Sequence, residues 1–195
     1  MDQDRFNLAI TQIDAANAHD PHRLELDGQK YSLEILHAER RTAWVRRLAG
    51  DQASEALLLA ARAQHILRWE IPRETYPHGR AGYLKWRQDL KEFHAQKTAE
   101  ILQAVGYEAD LIERVKDLIL KKRLKLDPEV QTLEDALCLV FLEEQFSEFA
   151  KKEGDKIADI VRKTWRKMSP AGQQFALALP LAPADRAIIE QALTV

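Results

Sequence analysis

The spacing of apolar residues along the chain predicts a series of α-helices. Phe6, Ile10 and Ile13 recur at intervals of three and four, which places them on one face of a first helix that ends near Asn17. A loop to about residue 30 follows. Further helices are predicted over residues 31–49, 54–69, 83–105 and 109–122, and from residue 132, after 154, from 169 and from 183 onward. No strand-like alternation of useful length is present.

The helix predicted from Thr132 is expected to be central. Thr132 and Asp135 have the spacing of a capping box, in which the first side chain caps the helix and the second bonds back to it. The apolar run over residues 136–142 leaves this helix without a polar face. We therefore predict an all-α fold of about nine helices built around this segment.

Composition and charge narrow the classes of function. A chain of 195 residues suits one domain, and 46% hydrophobic with 31% charged residues is a globular composition. The net charge of -2 offers no general attraction for nucleic acid or a membrane surface. The lone Cys138, the acidic start of the chain and the absence of long apolar runs predict a cytoplasmic protein.

Three histidines fall within apolar helical stripes. His37 follows Leu33 by four residues, His65 follows Ala61 by four, and His94 lies in the stripe of the long fourth helix. A single inward histidine is more often a satisfied core residue than a ligand. Three of them are more than packing requires, and this favours a shared site.

Asp135 shares a face with apolar residues of the sixth helix, where an unpaired carboxylate is costly. It is either the capping partner of Thr132 or a metal ligand. Imidazole nitrogens with one carboxylate suit a divalent transition metal: Mn, Fe, Co, Ni or Zn. His37, His65, His94 and Asp135 are therefore the predicted ligands.

The order of these residues resembles the HD-domain superfamily of metal-dependent phosphohydrolases. The resemblance covers roughly residues 30–145 and is carried by four segments: Leu36-His37-Ala38-Glu39-Arg40-Arg41, residues 57–66, residues 94–107 and Leu133-Glu134-Asp135-Ala136. It implies an HD-like helical bundle with a metal centre, on which helices from residues 155–195 pack. The whole of residues 1–195 would form one domain.

The chain also resembles the domain-of-unknown-function family 4202, and this resemblance is the closer one. It is carried by Arg62-Ala63-Gln64-His65-Ile66, the segment 69–86 and Lys163-Thr164-Trp165-Arg166-Lys167-Met168-Ser169. It implies no particular activity.

One departure from the HD pattern affects the metal. The family has His followed by Asp, whereas this chain has Gln64-His65-Ile66. The carboxylate that bridges two metals is missing, so a single metal is predicted. Glu39, Glu70 and Glu134 are acidic residues that could replace it, and Glu39 or Glu70 could act as the general base.

Arginines cluster between the third and fourth helices. Guanidinium groups bind phosphate or carboxylate through paired hydrogen bonds, although a solvated, ion-paired surface is an equally good explanation. The candidates for binding a small anionic substrate are Arg62, Arg68, Arg73, Arg80 and Arg87.

These observations give one leading hypothesis and two alternatives. The first is a metal-dependent hydrolase of a small phosphorylated or otherwise anionic compound, in which the metal activates water. The second is a non-haem iron oxygenase on the same scaffold. The third is a non-catalytic helical binding or regulatory module with a degenerate metal site. Substrate, metal and oligomeric state stay open.

Overall fold

The computed structural model describes residues 2–26 and 28–194 and confirms the all-α prediction. This part of the chain contains ten α-helices, against about nine predicted. The first and last residues of the predicted domain, Met1 and Val195, lie outside the described residues. The elements are α1 (Gln3–Asn17), β1 (Arg23–Leu26), β2 (Gln29–Ser32), α2 (Leu33–Ala49), α3 (Glu55–Ala63), α4 (Arg80–Val105), α5 (Ala109–Ile119), α6 (Pro128–Val140), α7 (Phe146–Glu153), α8 (Ile157–Lys167), α9 (Pro170–Leu177) and α10 (Pro183–Thr194).

Several helix boundaries follow the local signals in the sequence. The Ser54 hydroxyl accepts the Leu57 amide at the start of α3, and the Ser169 hydroxyl accepts the Gly172 amide at the start of α9. Gly50 and Gly106 end α2 and α4 with φ of 54° and 88°. Glycine adopts this left-handed region without steric cost, which explains both stops.

The third helix ends earlier than predicted. It stops at Ala63 rather than near Trp69, because the chain turns sharply after Gln64 and Leu67 adopts φ of 54°. The side-chain amide nitrogen of Gln64 donates to the Ile119 carbonyl, and the backbone amide of Leu67 donates to Asn17 Oδ1. These long-range bonds hold the turn that carries His65.

The sixth helix begins earlier than predicted. Asp127 caps it by accepting the Glu129 and Val130 amides, and Pro128 occupies the first turn. Thr132 lies inside the helix, where its hydroxyl donates to the Pro128 carbonyl. The predicted Thr132–Asp135 capping box is therefore wrong.

Two short elements were not predicted. The segment expected to be a loop before α2 holds an antiparallel hairpin in which Arg23 pairs with Ser32. Beyond α6, a π-helical turn over Phe141–Gln145 leads into α7. Such turns frequently mark functional sites, and this one forms part of the wall of a large cleft.

The bundle is organised around α3, whose residues 56–63 are all buried. α2 packs against α3 and α6, while α4 packs against α5 and α1. α9 rests on α6, and α8 pairs with α10. None of the helices in residues 2–26 and 28–194 is both long enough and apolar enough to cross a membrane.

The segment over residues 71–79 is fixed to the first turns of α4. The Trp86 indole donates to the Ile71 carbonyl at 2.9 Å, and the Tyr76 hydroxyl donates to Asp89 at 2.9 Å. Gly82 lets the segment approach, since a Cβ there would lie 1.9 Å from the Pro77 carbonyl oxygen. This contact closes one side of the cleft.

We expect Gly82→Ala to lower the free energy of unfolding by about 1–3 kcal/mol, because the new methyl group meets a backbone oxygen and the segment must shift. Helix propensity alone gives the opposite sign, a gain of about 1 kcal/mol. Urea unfolding of wild type and Gly82→Ala shows whether the substitution lowers or raises the free energy of unfolding. A stabilised Gly82→Ala variant would show that residues 71–79 do not pack as described.

Candidate functional site

A large open cleft of about 1470 Å³ lies between the N-terminal and C-terminal helices. Its walls come from α2, the connection between α3 and α4, the first half of α4, α6 with the π-helical turn, α7 and α8. His37, His65 and His94 all line it. The structure therefore brings three of the four predicted metal ligands to one cavity.

His94 is the most buried of the three, with 2% of its surface exposed. Its Nδ1 lies 2.7 Å from the Ile66 carbonyl oxygen. A carbonyl only accepts, so Nδ1 carries the proton and Nε2 of the neutral ring is a free acceptor. Burial lowers the pKa of His94 to about 3. Its Nε2 has no hydrogen-bond partner among the described residues.

His65 lies beside His94, with 5.8 Å between the ring centroids. Its Nδ1 accepts a hydrogen bond from the Arg41 guanidinium at 3.4 Å. Because arginine only donates, the neutral ring carries its proton on Nε2. Burial, followed by the charges of Arg41 and Arg68, holds the pKa of His65 well below its ordinary value.

Arg41 is a central residue of the site that the sequence did not single out. It is 1% exposed and donates to the Ala61 carbonyl, to His65 and, at 2.6 Å, to Glu34. Burial raises the pKa of Glu34, and the Arg41 charge opposes the rise. Burial and Arg41 also lower the pKa of His37 to about 4.

A second buried ion pair closes the opposite wall. Glu134 of α6 is bound by Lys121 and lies 3.9 Å from Lys167. Burial raises the pKa of Glu134, but the charges of both lysines outweigh it and hold the pKa below its ordinary value. Lys121 reaches this position from a turn in which its own φ is 59°.

Basic side chains outnumber acidic ones along the cleft. Five carboxylates line it: Asp20, Glu34, Glu74, Glu134 and Glu153. Nine basic side chains line it: Arg41, Arg68, Arg73, Arg87, Lys91, Lys121, Lys163, Arg166 and Lys167. With the histidines neutral, the cleft wall carries four more positive charges than negative ones, although the net charge of the whole chain is -2.

Lys91 shows the effect of this crowding. Burial is the main cause that lowers the pKa of its ammonium group, and the charges of Lys121 and Arg87 lower it further. Arg68 is similar, because burial lowers its pKa and Arg87 and Arg41 add to the effect. An anion in the cleft would relieve this repulsion.

The five arginines predicted to bind the substrate separate into two groups. Arg68, Arg73 and Arg87 line the cleft. Arg62 does not, because both Asp14 oxygens bind its guanidinium at 2.6 Å and Glu39 binds it at 3.2 Å. Arg80 is exposed at the start of α4 and also lies outside the cleft wall.

Of the three predicted acidic residues, only Glu134 lines the cleft. Glu39 and Glu70 are exposed, and neither lines the cleft. Glu39 instead binds Arg62 at 3.2 Å. The carboxylates that do reach the cleft from these walls are Glu34 and Glu134.

Asp135 is engaged away from the histidines. One of its oxygens accepts the Ser169 amide at 2.8 Å and the Gln131 amide, and the other accepts the Ser169 hydroxyl at 2.5 Å. Gly172 packs directly against the carboxylate. Asp135 therefore joins α6 to the start of α9 and is not part of the cleft wall.

The described side chains do not fit the metal centre that the HD resemblance implies. Within residues 2–26 and 28–194, no three histidine, cysteine, aspartate or glutamate side chains are grouped so that they could hold a metal ion. Glu34 and Glu134 are paired with Arg41 and Lys121, and Arg41 occupies the free nitrogen of His65. Cationic side chains of the protein are therefore the partners of these two carboxylates and of His65 Nδ1.

Two of the residues that were missed, Glu34 and Arg41, had a weak signal in the sequence. Glu34 and Arg41 are seven residues apart and so share the helix face of His37. Lys121 and Glu134 lie on different elements, and only the fold brings them together. The cluster of positive charge therefore could not be predicted from spacing alone.

Comparison with known proteins gives a family assignment. The model of the family described as Domain of unknown function (DUF4202) matches residues 7–189. None of the curated proteins and none of the solved structures matches the chain.

We expect Asp135→Asn to lower the free energy of unfolding by about 2 kcal/mol, because the charged acceptor of two Ser169 donors is lost. The control is Thr132→Ala on the same helix, whose hydroxyl bonds only its own helix, and we expect it to change stability by less than about 0.5 kcal/mol. Urea unfolding of the three proteins measures these changes, and an Asp135→Asn protein as stable as wild type would contradict the placement of Asp135.

The buried His94 should make the fold sensitive to acid. Its pKa is about 3 in the folded chain against an ordinary 6.5, so the unfolded chain binds more protons between these values. Stability must then fall as the pH drops below about 6.5, by about 2 kcal/mol at pH 5 from this residue. Urea unfolding of wild type and His94→Gln at pH 7.5 and pH 5 measures it. Parallel losses in the two proteins would contradict the burial of a neutral His94.

Proposed function

The chain belongs to the DUF4202 family, and we propose that its function is to bind a small phosphorylated or otherwise anionic compound in the cleft between its two halves. The observation that carries the proposal is the surplus of four positive charges on the cleft wall of an otherwise slightly acidic chain. A cavity lined by one sign of charge concentrates ligands of the opposite sign.

The distribution of partners supports this proposal. Arg41 and Lys121 have buried carboxylate partners, whereas Arg68 contacts the Trp86 ring and Arg87 contacts the Tyr83 hydroxyl. The charges of Arg68 and Arg87 are therefore available to a ligand. The aromatic residues beside it provide an apolar surface for the rest of a small molecule.

Hydrolysis of the bound compound is the reaction that we propose to test. In the hydrolysis of a phosphate monoester, water adds to phosphorus, the bond to the ester oxygen breaks, and an alcohol and inorganic phosphate are released. The arginines and lysines would stabilise charge on the phosphoryl oxygens. A neutral imidazole would accept the proton of the attacking water and return it to the leaving ester oxygen, which departs as the alcohol.

A non-catalytic binding module is the second candidate. It is favoured by the ion pairs of Glu34 and Glu134, which occupy the carboxylates of the cleft. The metal-dependent hydrolase and the non-haem iron oxygenase both need a metal. They stay hypotheses that measured metal content would support.

The HD-like architecture is part of the same proposal. Helices α2, α4 and α6 and the turn after α3 contribute to one cleft in the chain order that the resemblance implies. Gln64, Arg41 and Lys121 stand beside the histidines in this arrangement. We propose an HD-like bundle in which basic side chains have replaced the metal.

Inorganic phosphate should bind saturably and raise the melting temperature, because a ligand of the folded state stabilises it by mass action. Lys91→Met should weaken phosphate binding about tenfold, since one cationic contact contributes about 1–2 kcal/mol. The matched control is Lys97→Met, which lies on the same helix outside the cleft and pairs with Glu100. Calorimetric titration of the three proteins measures the difference.

Equal affinities in the Lys91→Met and Lys97→Met proteins, or no binding by wild type, would overturn the proposed site. Binding should persist after treatment with EDTA. A requirement for added Mn, Fe, Co, Ni or Zn would instead support the metal-dependent hypotheses. Release of phosphate from phosphate monoesters distinguishes the hydrolase from the binding module.

A further inference from the structure

Resting on the proposed function, we infer that the compound in the cleft carries a hydroxyl group as well as its anionic group, and that His94 and His65 hold this hydroxyl. The ligand class is therefore a phosphorylated polyol or a similar hydroxylated anion. This class follows from the hydrogen-bonding roles of two ring nitrogens, one of which is a buried acceptor without a partner in the described residues.

His94 supplies an acceptor that needs a donor. Its Nδ1 proton is committed to the Ile66 carbonyl at 2.7 Å, which leaves a lone pair on Nε2. This nitrogen is buried without a partner among the described residues, and the residue lines the cleft. A buried acceptor without a partner is destabilising, so the site favours a ligand with a proton to donate.

His65 supplies the complementary donor. Its Nδ1 accepts from Arg41, so the proton is on Nε2. The two rings are neighbours, with 5.8 Å between their centroids. The acceptor and the donor therefore belong to adjacent rings that both line the cleft.

A hydroxyl group satisfies both nitrogens at once, because its O–H donates and its oxygen accepts. The dianion of a phosphate monoester or a carboxylate only accepts, and it would leave His94 Nε2 unpaired. An ammonium group only donates, and Arg41 and Arg68 would repel it. The cationic side chains are left for the anionic group of the same molecule.

Two matched pairs of ligands test this inference by calorimetric titration of the full chain. They are glycerol 3-phosphate with propyl phosphate, and glucitol 6-phosphate with hexyl phosphate. In at least one pair, the hydroxylated compound should bind about tenfold more tightly, as expected when a buried acceptor gains a partner.

Variants then assign the preference to the histidine pair. In His94→Phe the acceptor is lost and the ratio of affinities should fall to about one, whereas His94→Gln keeps an acceptor oxygen and should retain part of the preference. His65→Phe removes the donor and gives a second test if His94→Phe does not fold.

Equal binding of the members of both pairs by wild type would overturn the inference while leaving the anion site intact. A preference that survives in both His94→Phe and His65→Phe would also overturn it. If none of the four phosphates binds, the proposed function itself fails.

Discussion

The buried guanidinium of Arg41 is the interaction on which the rest of the site depends. It is a charge on α2 that points into the bundle, where only hydrogen bonds and an opposite charge make its burial tolerable. Glu34 supplies the charge, and the Ala61 carbonyl and His65 Nδ1 each accept a hydrogen bond from another nitrogen of the guanidinium. This side chain thereby links α2 to α3 and sets the tautomer of His65, and its charge adds to burial in keeping the histidines around it neutral.

Neutral imidazoles beside basic side chains follow directly from this arrangement. Burial and nearby positive charge act in the same direction on a histidine, since both disfavour the protonated ring. The cleft therefore combines fixed positive charge with uncharged donors and acceptors. Cations attract an anion from solution without discriminating closely between anions. Directed hydrogen bonds discriminate by the shape of the ligand and by the position of its hydrogen-bond donors.

The sequence predicted the helical fold well because its start and stop signals are local. Ser54, Gly50 and Gly106 act through their own backbone neighbourhood, so their effect is visible in the sequence. The end of α3 was missed because Asn17 and Ile119, both far along the chain, hold that turn. The three histidines were predicted to share one site from their inward helical spacing, and all three line the cleft although His65 lies in the turn after α3. Arg41 and Lys121 were not, because a charged residue in a chain so rich in charge is normally exposed.

On α6 the carboxylate that faces the cleft is Glu134, one position before Asp135, which was the predicted ligand. Successive residues on a helix are about 100° apart, so Glu134 and Asp135 must serve different neighbours. Asp135 faces α9, where Ser169 saturates its oxygens, and Glu134 faces the cleft, where Lys121 neutralises it. A metal centre would need a carboxylate with free oxygens on the cleft side of α6. The carboxylate on that side is Glu134, and Lys121 already binds it. The negative charge that α6 brings to the cleft is therefore neutralised by a lysine. The surplus positive charge of the cleft comes from the other lysines and arginines that line it.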